Sequence, residues 1–423
     1  MTPRDASPWR FIPTLYLAEG LPYILINTVS VILYKRLGID NDRIAFWTSW
    51  LYLPWVIKMF WGPAVDMVST KRNWILGTQA GLAVLLGAAA LSLRAPSFFL
   101  MSLFFFTVGA FISATHDIAA DGFYMLALDD QGQALFAGIR STFYRLAMIF
   151  GSGFLVYAAG VLETRTGDVP LSWALVMAAP AALFVLFVLY HRAALPFPKG
   201  DGAAVKKESA GVSFWEILAS YLRQENIGAT LAFILLYRLA EAMLVKLATP
   251  FLLDPRSAGG LGLSTSQVGV VYGTAGVGGL VAGGILGGWL ISRYGFKRCL
   301  WPMVLALHLP DLFFLWMAYA RPPALLAGVL VAAEQFGYGI GFSAFTVYLL
   351  MRAGESRYPT SNYAISTGIM ALGMMLPGMF SGKIQLALGY QHFYLVVCLA
   401  TIPGFLVIPF IPKESRPKEP ALA

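Results

Sequence analysis

Long apolar runs separated by short polar, basic punctuation dominate the chain. A helix crossing a bilayer needs about 20 mostly apolar residues. Twelve such runs can be laid out, at residues 10–34, 44–65, 74–93, 97–127, 134–161, 171–191, 227–252, 266–291, 299–319, 322–351, 360–387 and 390–411. Backbone groups in lipid must be bonded internally, so these runs predict helices. The longest polar stretch, residues 193–226, falls between the sixth and seventh runs and contains Pro196-Phe-Pro-Lys-Gly-Asp-Gly and Lys206-Lys207-Glu208-Ser209. It predicts a cytoplasmic linker, with Phe214 to Leu222 as a short interfacial helix. The expected organisation is an N-terminal six-helix half (1–192), a linker (193–226) and a C-terminal six-helix half (227–423). The predicted class is an all-α integral membrane protein of about twelve transmembrane helices in two pseudo-symmetric six-helix bundles.

Composition agrees. Hydrophobic residues make up 58% of the 423 and charged residues only 12%, against about 25% charged in soluble domains. Mean hydropathy is +0.69. A soluble fold could not hide so much apolar surface. The net charge of +8 lies in short clusters between apolar runs, such as Lys71-Arg72, Lys206-Lys207 and Lys297-Arg298, and forms no stripe suited to nucleic acid. With the N-terminus inside, 17 of the 30 Lys and Arg fall in inner segments and 7 in outer loops, which predicts both termini in the cytoplasm. Met1 to Arg10 is polar and runs straight into an apolar helix, so no cleavable leader is expected. Cys299 and Cys398 match no metal or redox spacing, so neither a metal nor a cofactor is expected. The expected particle is a monomer surrounded by lipid.

An internal repeat sharpens the picture. Gly62-Pro-Ala-Val-Asp66-Met-Val-Ser-Thr-Lys71-Arg72 follows the second run, and Gly288-Trp-Leu-Ile-Ser292-Arg293-Tyr-Gly295-Phe-Lys297-Arg298 follows the eighth. Leu17-Ala18-Glu19 is echoed by Leu239-Ala240-Glu241. The loops are 226 residues apart and the glutamates 222, so the two features agree on one repeat. The loop pattern resembles the signature G-x-x-x-D-R-x-G-R-K-R of the major facilitator superfamily, which recurs in both halves. The first copy keeps Asp66 and lacks the Arg and second Gly; the second keeps Arg293 and Gly295 and has Ser292 for Asp. The resemblance implies a substrate site between the halves near the bilayer midplane. Gly62 is expected to permit close helix approach. Asp66, Lys71, Arg72, Arg293, Lys297 and Arg298 are expected to latch one conformation.

Charges within the apolar runs are the candidate chemistry, because a charge at the bilayer centre costs about 2.5–3.5 kcal/mol. The fourth run carries His116, Asp117 and Asp121; the carboxylates are four apart and share a face. Two acids that close in a poorly solvated site resist joint ionisation, which suits proton carriers. The alternative is a permanent ion pair with arginines of the fifth run. That run carries Arg140, Tyr144 and Arg145. The arginines diverge by about 140° around the helix, and Arg145, the deeper, is expected to face the cavity and partner Asp117, Asp121 or a ligand carboxylate. Lys58 and Glu19 lie in the second and first runs, and Gly20 and Pro22 loosen the helix beside Glu19. The seventh run offers Arg238, Glu241 and Lys246, with Arg238 and Glu241 spaced to neutralise each other. Glu334 and Lys383 complete the set, while Asp311 and His308 show no sequence partner.

Six segments narrow the resemblance to the AmpG-type muropeptide permeases over nearly the whole chain. They are Ala18-Glu-Gly20-Leu21-Pro22, Lys58-Met-Phe60-Trp61-x-Pro63-x-x-Asp66, Ser113-Ala-x-x-Asp117-Ile118-x-x-Asp121, Tyr144-Arg145-Leu146-x-Met148, Tyr237-x-Leu239-x-x-Ala242 and Gly341-Phe-Ser343-Ala344-Phe345. That family implies proton-driven import of anhydro-muropeptides across the bacterial inner membrane by alternating access. Asp117, Asp121, Glu19 and Glu241 are then the candidate proton-coupling groups. Arg145, Lys58, Arg140, Tyr144, Lys246, Glu334 and Lys383 are the candidate contacts for an anionic peptide–sugar. Glu241 stands where the family tends to have Asp. Other readings are a permease for a ferric siderophore or another small anion, and a drug exporter. The rival from another class is a membrane-embedded acyltransferase using His116-x-x-x-x-Asp121, disfavoured because positions five apart diverge on a helix. No enzymatic activity is expected.

Overall fold

A computed structural model describes residues 7–198, 201, 214–356 and 358–412, with backbone alone at 63, 66, 67, 130, 134 and 360. The described residues are helical throughout, with no strand among them. Each of the twelve predicted runs is found as helix. Span one is Pro8–Arg36, span three Lys71–Ser92, span four Phe98–Ala127, span five Gln131–Thr166 and span six Val169–Ala194. Span eight is Thr265–Tyr294, span nine Phe296–Ala320 and span ten Ala324–Gly354. The last apolar stretch, Ser361–Phe410, is 50 residues long, twice what a bilayer needs. It turns at Gly389, whose φ of 73° a side chain would resist, and so supplies spans eleven and twelve. The linker helix is found at Phe214–Leu222.

Spans two and seven are interrupted. Span two runs as Asn41–Trp50, Leu53–Ile57, a 3₁₀ turn at Lys58–Phe60, and Gly62–Val68. Pro54 and Pro63 each stand at the start of a segment, where the missing N–H costs nothing. Span seven is Ile227–Leu236 followed by Leu239–Leu253, broken at Arg238. Span nine breaks at Leu309-Pro310, between Phe296–His308 and Asp311–Ala320. Breaks at membrane depth free backbone groups, which are tolerated only where protein or a lined cavity satisfies them. Here each break carries an ionisable residue: Lys58, Arg238, and His308 with Asp311.

The described residues fall into two compact units, one within Met1–Ala210 and Leu263–Thr274, the other within Gly211–Gly262 and Ala275–Ala423. Packing in the first centres on Phe11, Leu15, Tyr16, Ile75, Ala120 and Phe123. In the second it centres on Phe233, Tyr237, Met303, Leu307, Phe345 and Tyr348. Lipid supplies no hydrophobic drive between helices, so small residues that let backbones touch do much of the joining. Gly279, Gly283 and Gly287, four apart on span eight, lie against span ten. A Cβ at Gly283 would sit 2.0 Å from the Phe336 carbonyl oxygen, and one at Gly279 2.4 Å from that of Ala332. Gly337 and Gly341 do the same between spans ten and nine, at 2.1 Å from the Ala306 oxygen and 2.5 Å from Leu307 Cβ.

The loop glycines differ from the expectation. At both Gly62 and Gly288 a Cβ would meet no described atom within 4 Å. Close approach on span eight is made at Gly287, where a Cβ would lie 2.8 Å from Ser343 Oγ, while the next residue, Gly288, faces away from the seam. Gly283→Ala is therefore expected to lower the thermal unfolding midpoint of the detergent-purified protein, at an overpacking cost of about 1–3 kcal/mol. Gly288→Ala is expected to leave it unchanged or slightly raised, since Ala exceeds Gly in helix preference by about 1 kcal/mol. Equal midpoints for the two variants would contradict this seam.

Candidate functional site

The first unit gathers five charged side chains from four spans. Asp117 Oδ2 accepts the indole N–H of Trp55 at 2.9 Å and lies 3.8 Å from Lys58 Nζ. One turn away, Asp121 Oδ1 accepts from the Tyr16 hydroxyl at 3.0 Å and from Arg140 Nη1 at 3.1 Å. Arg140 also donates to Tyr16 Oη at 3.0 Å, and its guanidinium lies 5.1 Å from the Tyr16 ring centre and 5.0 Å from that of Tyr124. Glu19 is 8% exposed, leaves Oε2 without a hydrogen-bond partner, and interacts electrostatically with Asp121, Asp117, Lys58 and Arg140.

Local sequence explains why these groups meet. Gly20 lets span one approach span five: a Cβ there would lie 2.8 Å from the Tyr144 carbonyl oxygen. Tyr144 and Trp55 both pack around Tyr23, at 6.5 and 5.2 Å between ring centres. Asp129 caps the start of span five, its Oδ1 accepting from Gly132 N at 2.8 Å, and Arg140 meets Asp121 beside span one, where the Tyr16 hydroxyl bonds both. The sequence expectation chose Arg145 instead. Arg145 stands about 7.5 Å further along the helix, half-buried, with no carboxylate among the described residues at ion-pair distance. Packing beside Tyr16 of span one, which sequence position does not show, decides the pairing.

His116 does not face Asp121. It belongs to a buried polar chain in which Gln79 lies between His116 (Nε2 to Nε2, 3.1 Å) and His191 (Oε1 to Nδ1, 2.9 Å), and His191 Nε2 reaches Thr14 Oγ1 at 2.9 Å. The Thr14 hydroxyl is also 3.2 Å from the Phe11 carbonyl oxygen. With the Gln79 amide turned so that its oxygen faces His116, each member of the chain donates one hydrogen in a single direction, His116 to Gln79 to His191 to Thr14 to the Phe11 carbonyl, and His116 Nδ1 is left as an acceptor. The motif read as a rival acyltransferase signature is thus split between a structural chain and an ion pair.

The loop residues are placed less uniformly. Asp66 falls in Gly62–Val68, and its side chain lies outside the described residues. The backbone N–H groups of Lys71 and Arg72 donate to Asp201, at 2.6 and 3.1 Å. Arg72 donates to the carbonyls of Arg192 and Leu195 and lies 4.2 Å over the Phe197 ring. Asp201 thus caps span three from the start of the polar stretch, a role no motif marked. The Lys71 stem crosses Gly122 on span four. Arg293, Lys297 and Arg298 are exposed around Gly295, whose φ of 81° joins spans eight and nine.

In the second unit Arg238 acts on Glu241 electrostatically but makes no hydrogen bond to it. Arg238 Nη2 donates to the Tyr338 hydroxyl, and the guanidinium lies 4.9 Å from the Phe342 ring centre. Glu241 is 0% exposed with neither oxygen hydrogen-bonded. Glu334, also 0% exposed, accepts from Gln335 Nε2 at 2.9 Å. Asp311, ranked low for want of a partner, joins these two glutamates. Lys246 is buried, whereas Lys383 is exposed on the helix surface.

A family model described as Major Facilitator Superfamily matches residues 14–382. The chain is similar to the anhydromuropeptide permease of Escherichia coli K12, at 26% identity over 92% of this chain and 77% of that one. It is similar to a putative transporter, AmpG 4, of Rickettsia conorii, at 22% identity over 94% of each chain. Its fold is similar to the crystal structure of the nucleoside transporter NupG, with a TM-score of 0.69 and 16% identity over 97% of this chain and 99% of that one. With nine helices among the described residues long and apolar enough to cross a membrane, a buried charge cluster and a family match across most of its length, the chain belongs to the major facilitator superfamily, as a multi-pass membrane transporter and not an enzyme.

Proposed function

We propose that the protein is a proton-coupled importer of anhydro-muropeptides in the bacterial inner membrane, working by alternating access with both termini in the cytoplasm. The carrying observation is the balance of the buried cluster. Three acids, Glu19, Asp117 and Asp121, stand with two bases, Lys58 and Arg140. Asp117 is matched to Lys58 and Asp121 to Arg140, which leaves Glu19 as the acid of this cluster without an ion-pair partner among the described residues. A net charge of −1 in a poorly solvated site calls for one proton.

Coupling follows from the same balance. A ligand carboxylate reaching Arg140 competes with Asp121 for the guanidinium, whose fork suits planar anions. The added negative charge raises the demand for protons at Glu19 and the displaced Asp121. Anion and proton therefore favour each other's binding, and by linkage the effect is reciprocal. That is the thermodynamic requirement for symport. Sugar faces would find Tyr16, Tyr23 and Tyr144 close by. The relative from Escherichia coli, named an anhydromuropeptide permease, supports this cargo, as do the motifs around Glu19, Lys58 and Asp117. The halves 1–192 and 227–423, the latch role of Arg72 held by Asp201, and a monomeric state belong to the same proposal.

In proteoliposomes with an imposed pH gradient, Glu19→Gln is expected to abolish concentrative uptake of labelled anhydro-muropeptide while gradient-free exchange continues. Full gradient-driven accumulation by that variant would overturn the coupling role. Arg140→Ala is expected to weaken ligand binding about tenfold or more, matching ~1.5–3 kcal/mol for a hydrogen bond to a charged group; Arg145→Ala is expected to have the smaller effect. In a thermal-stability panel on the purified protein, anhydro-muropeptides are expected to raise the unfolding midpoint. A rise with ferric siderophores alone would reassign the cargo.

A further inference from the structure

The second unit holds a cluster that the proton scheme does not use. Glu241, Asp311 and Glu334 come from spans seven, nine and ten, and one carboxylate oxygen from each lies within 4.8 Å of the others. Their exposures are 0%, 1% and 0%. Both oxygens of Glu241, both of Asp311 and Oε1 of Glu334 have no hydrogen-bond partner. Beside them His308, 4% exposed, has both ring nitrogens unpartnered, with Nδ1 3.7 Å from Asp311 Oδ2. The adjacent cation, Arg238, acts electrostatically on Glu241 alone among the three, while it gives Nη2 to Tyr338 and lies over Phe342.

Three carboxylates this close and this buried cannot stay uncompensated. Five of their six oxygens accept no hydrogen bond among the described residues, so a bound cation is a compensator that fits them. A hard cation bound at about 2.3–2.6 Å places its oxygen ligands up to roughly 5 Å apart across the ion. Magnesium dehydrates reluctantly and is seldom held by a dedicated all-protein cage. Glu241 and Asp311 both lie in the first turn of a half-helix, after the breaks at Arg238 and at Leu309-Pro310, and broken helices are a recurrent setting for binding sites in transporters.

We infer that Glu241, Asp311 and Glu334, with His308 beside Asp311, form a binding site in the second unit for a hard cation of calcium or sodium size. The site shares no residue with the Glu19–Asp117–Asp121 group and adds an inorganic cation to the transporter's ligands.

The test uses the full-length purified protein in detergent, stripped with chelator and held at one pH and ionic strength. Its unfolding midpoint is followed while choline chloride is replaced by NaCl, CaCl₂, KCl or MgCl₂. A saturable rise is expected with Na⁺ or Ca²⁺, absent or much weaker with K⁺ and Mg²⁺; whichever of the first two acts identifies the ion. The rise is expected to vanish in Asp311→Asn and Glu334→Gln and to persist in Asp117→Asn. Because a cluster variant can fail to fold, binding of radiolabelled Na⁺ and Ca²⁺ to the unaltered protein is measured in parallel, with one ion per chain expected. No saturable response or binding above choline, an equal response to Mg²⁺, or a response kept by both cluster variants would overturn the inference. The assay uses neither muropeptide nor a pH gradient, so its outcome is independent of the proton-coupling proposal.

Discussion

Removing water from around a charge is the constraint on which the rest of this molecule depends. In a bilayer the penalty falls on every unpaired backbone amide and every ionised side chain. The first unit meets it by gathering charges of both signs. Asp117 has Lys58 and the Trp55 indole, and Asp121 has Arg140 and the Tyr16 hydroxyl. The second unit gathers three carboxylates beside Arg238, which gives Nη2 to Tyr338 and lies over Phe342. The same penalty thus has two arrangements in one chain, internal pairing and the proposed cation site.

Helix geometry and charge are tied together. Spans two, seven and nine lose regular helix where Lys58, Arg238, and His308 with Asp311 sit. A continuous helix presents only side chains. A broken one also presents amide and carbonyl groups, so polar side chains and polar backbone share one pocket of compensation. The glycine seams between spans eight, nine and ten provide the rigid counterpart, with backbones in direct contact where no charge has to be accommodated.

Much of the architecture was legible in the linear chain because lipid makes such strong demands. A run of about 20 apolar residues has few other options, and all twelve runs are helices. The two loop copies and the two Leu-Ala-Glu motifs disclosed a repeat that the superfamily match accords with. Even Glu19, Lys58, Asp117 and Asp121 could be chosen on cost alone, since a charge in such a run is expensive unless it has a task. The polar partners were harder to see. Trp55 and Tyr16 read as packing aromatics, and Asp201 as one acid in a polar stretch.

The sequence by itself determined the helical class, the number of spans and the list of charges that had to be explained. Those follow from composition and local periodicity, which do not depend on distant residues. Tertiary structure decided which charges meet. Arg140 and not Arg145 faces Asp121, where both meet the Tyr16 hydroxyl of span one. His116 turns to Gln79, and Asp311 joins Glu241 and Glu334 across three spans. Ion pairing depends on separations of a few ångströms between residues tens to hundreds of positions apart, and only the packing of the helices fixes those separations.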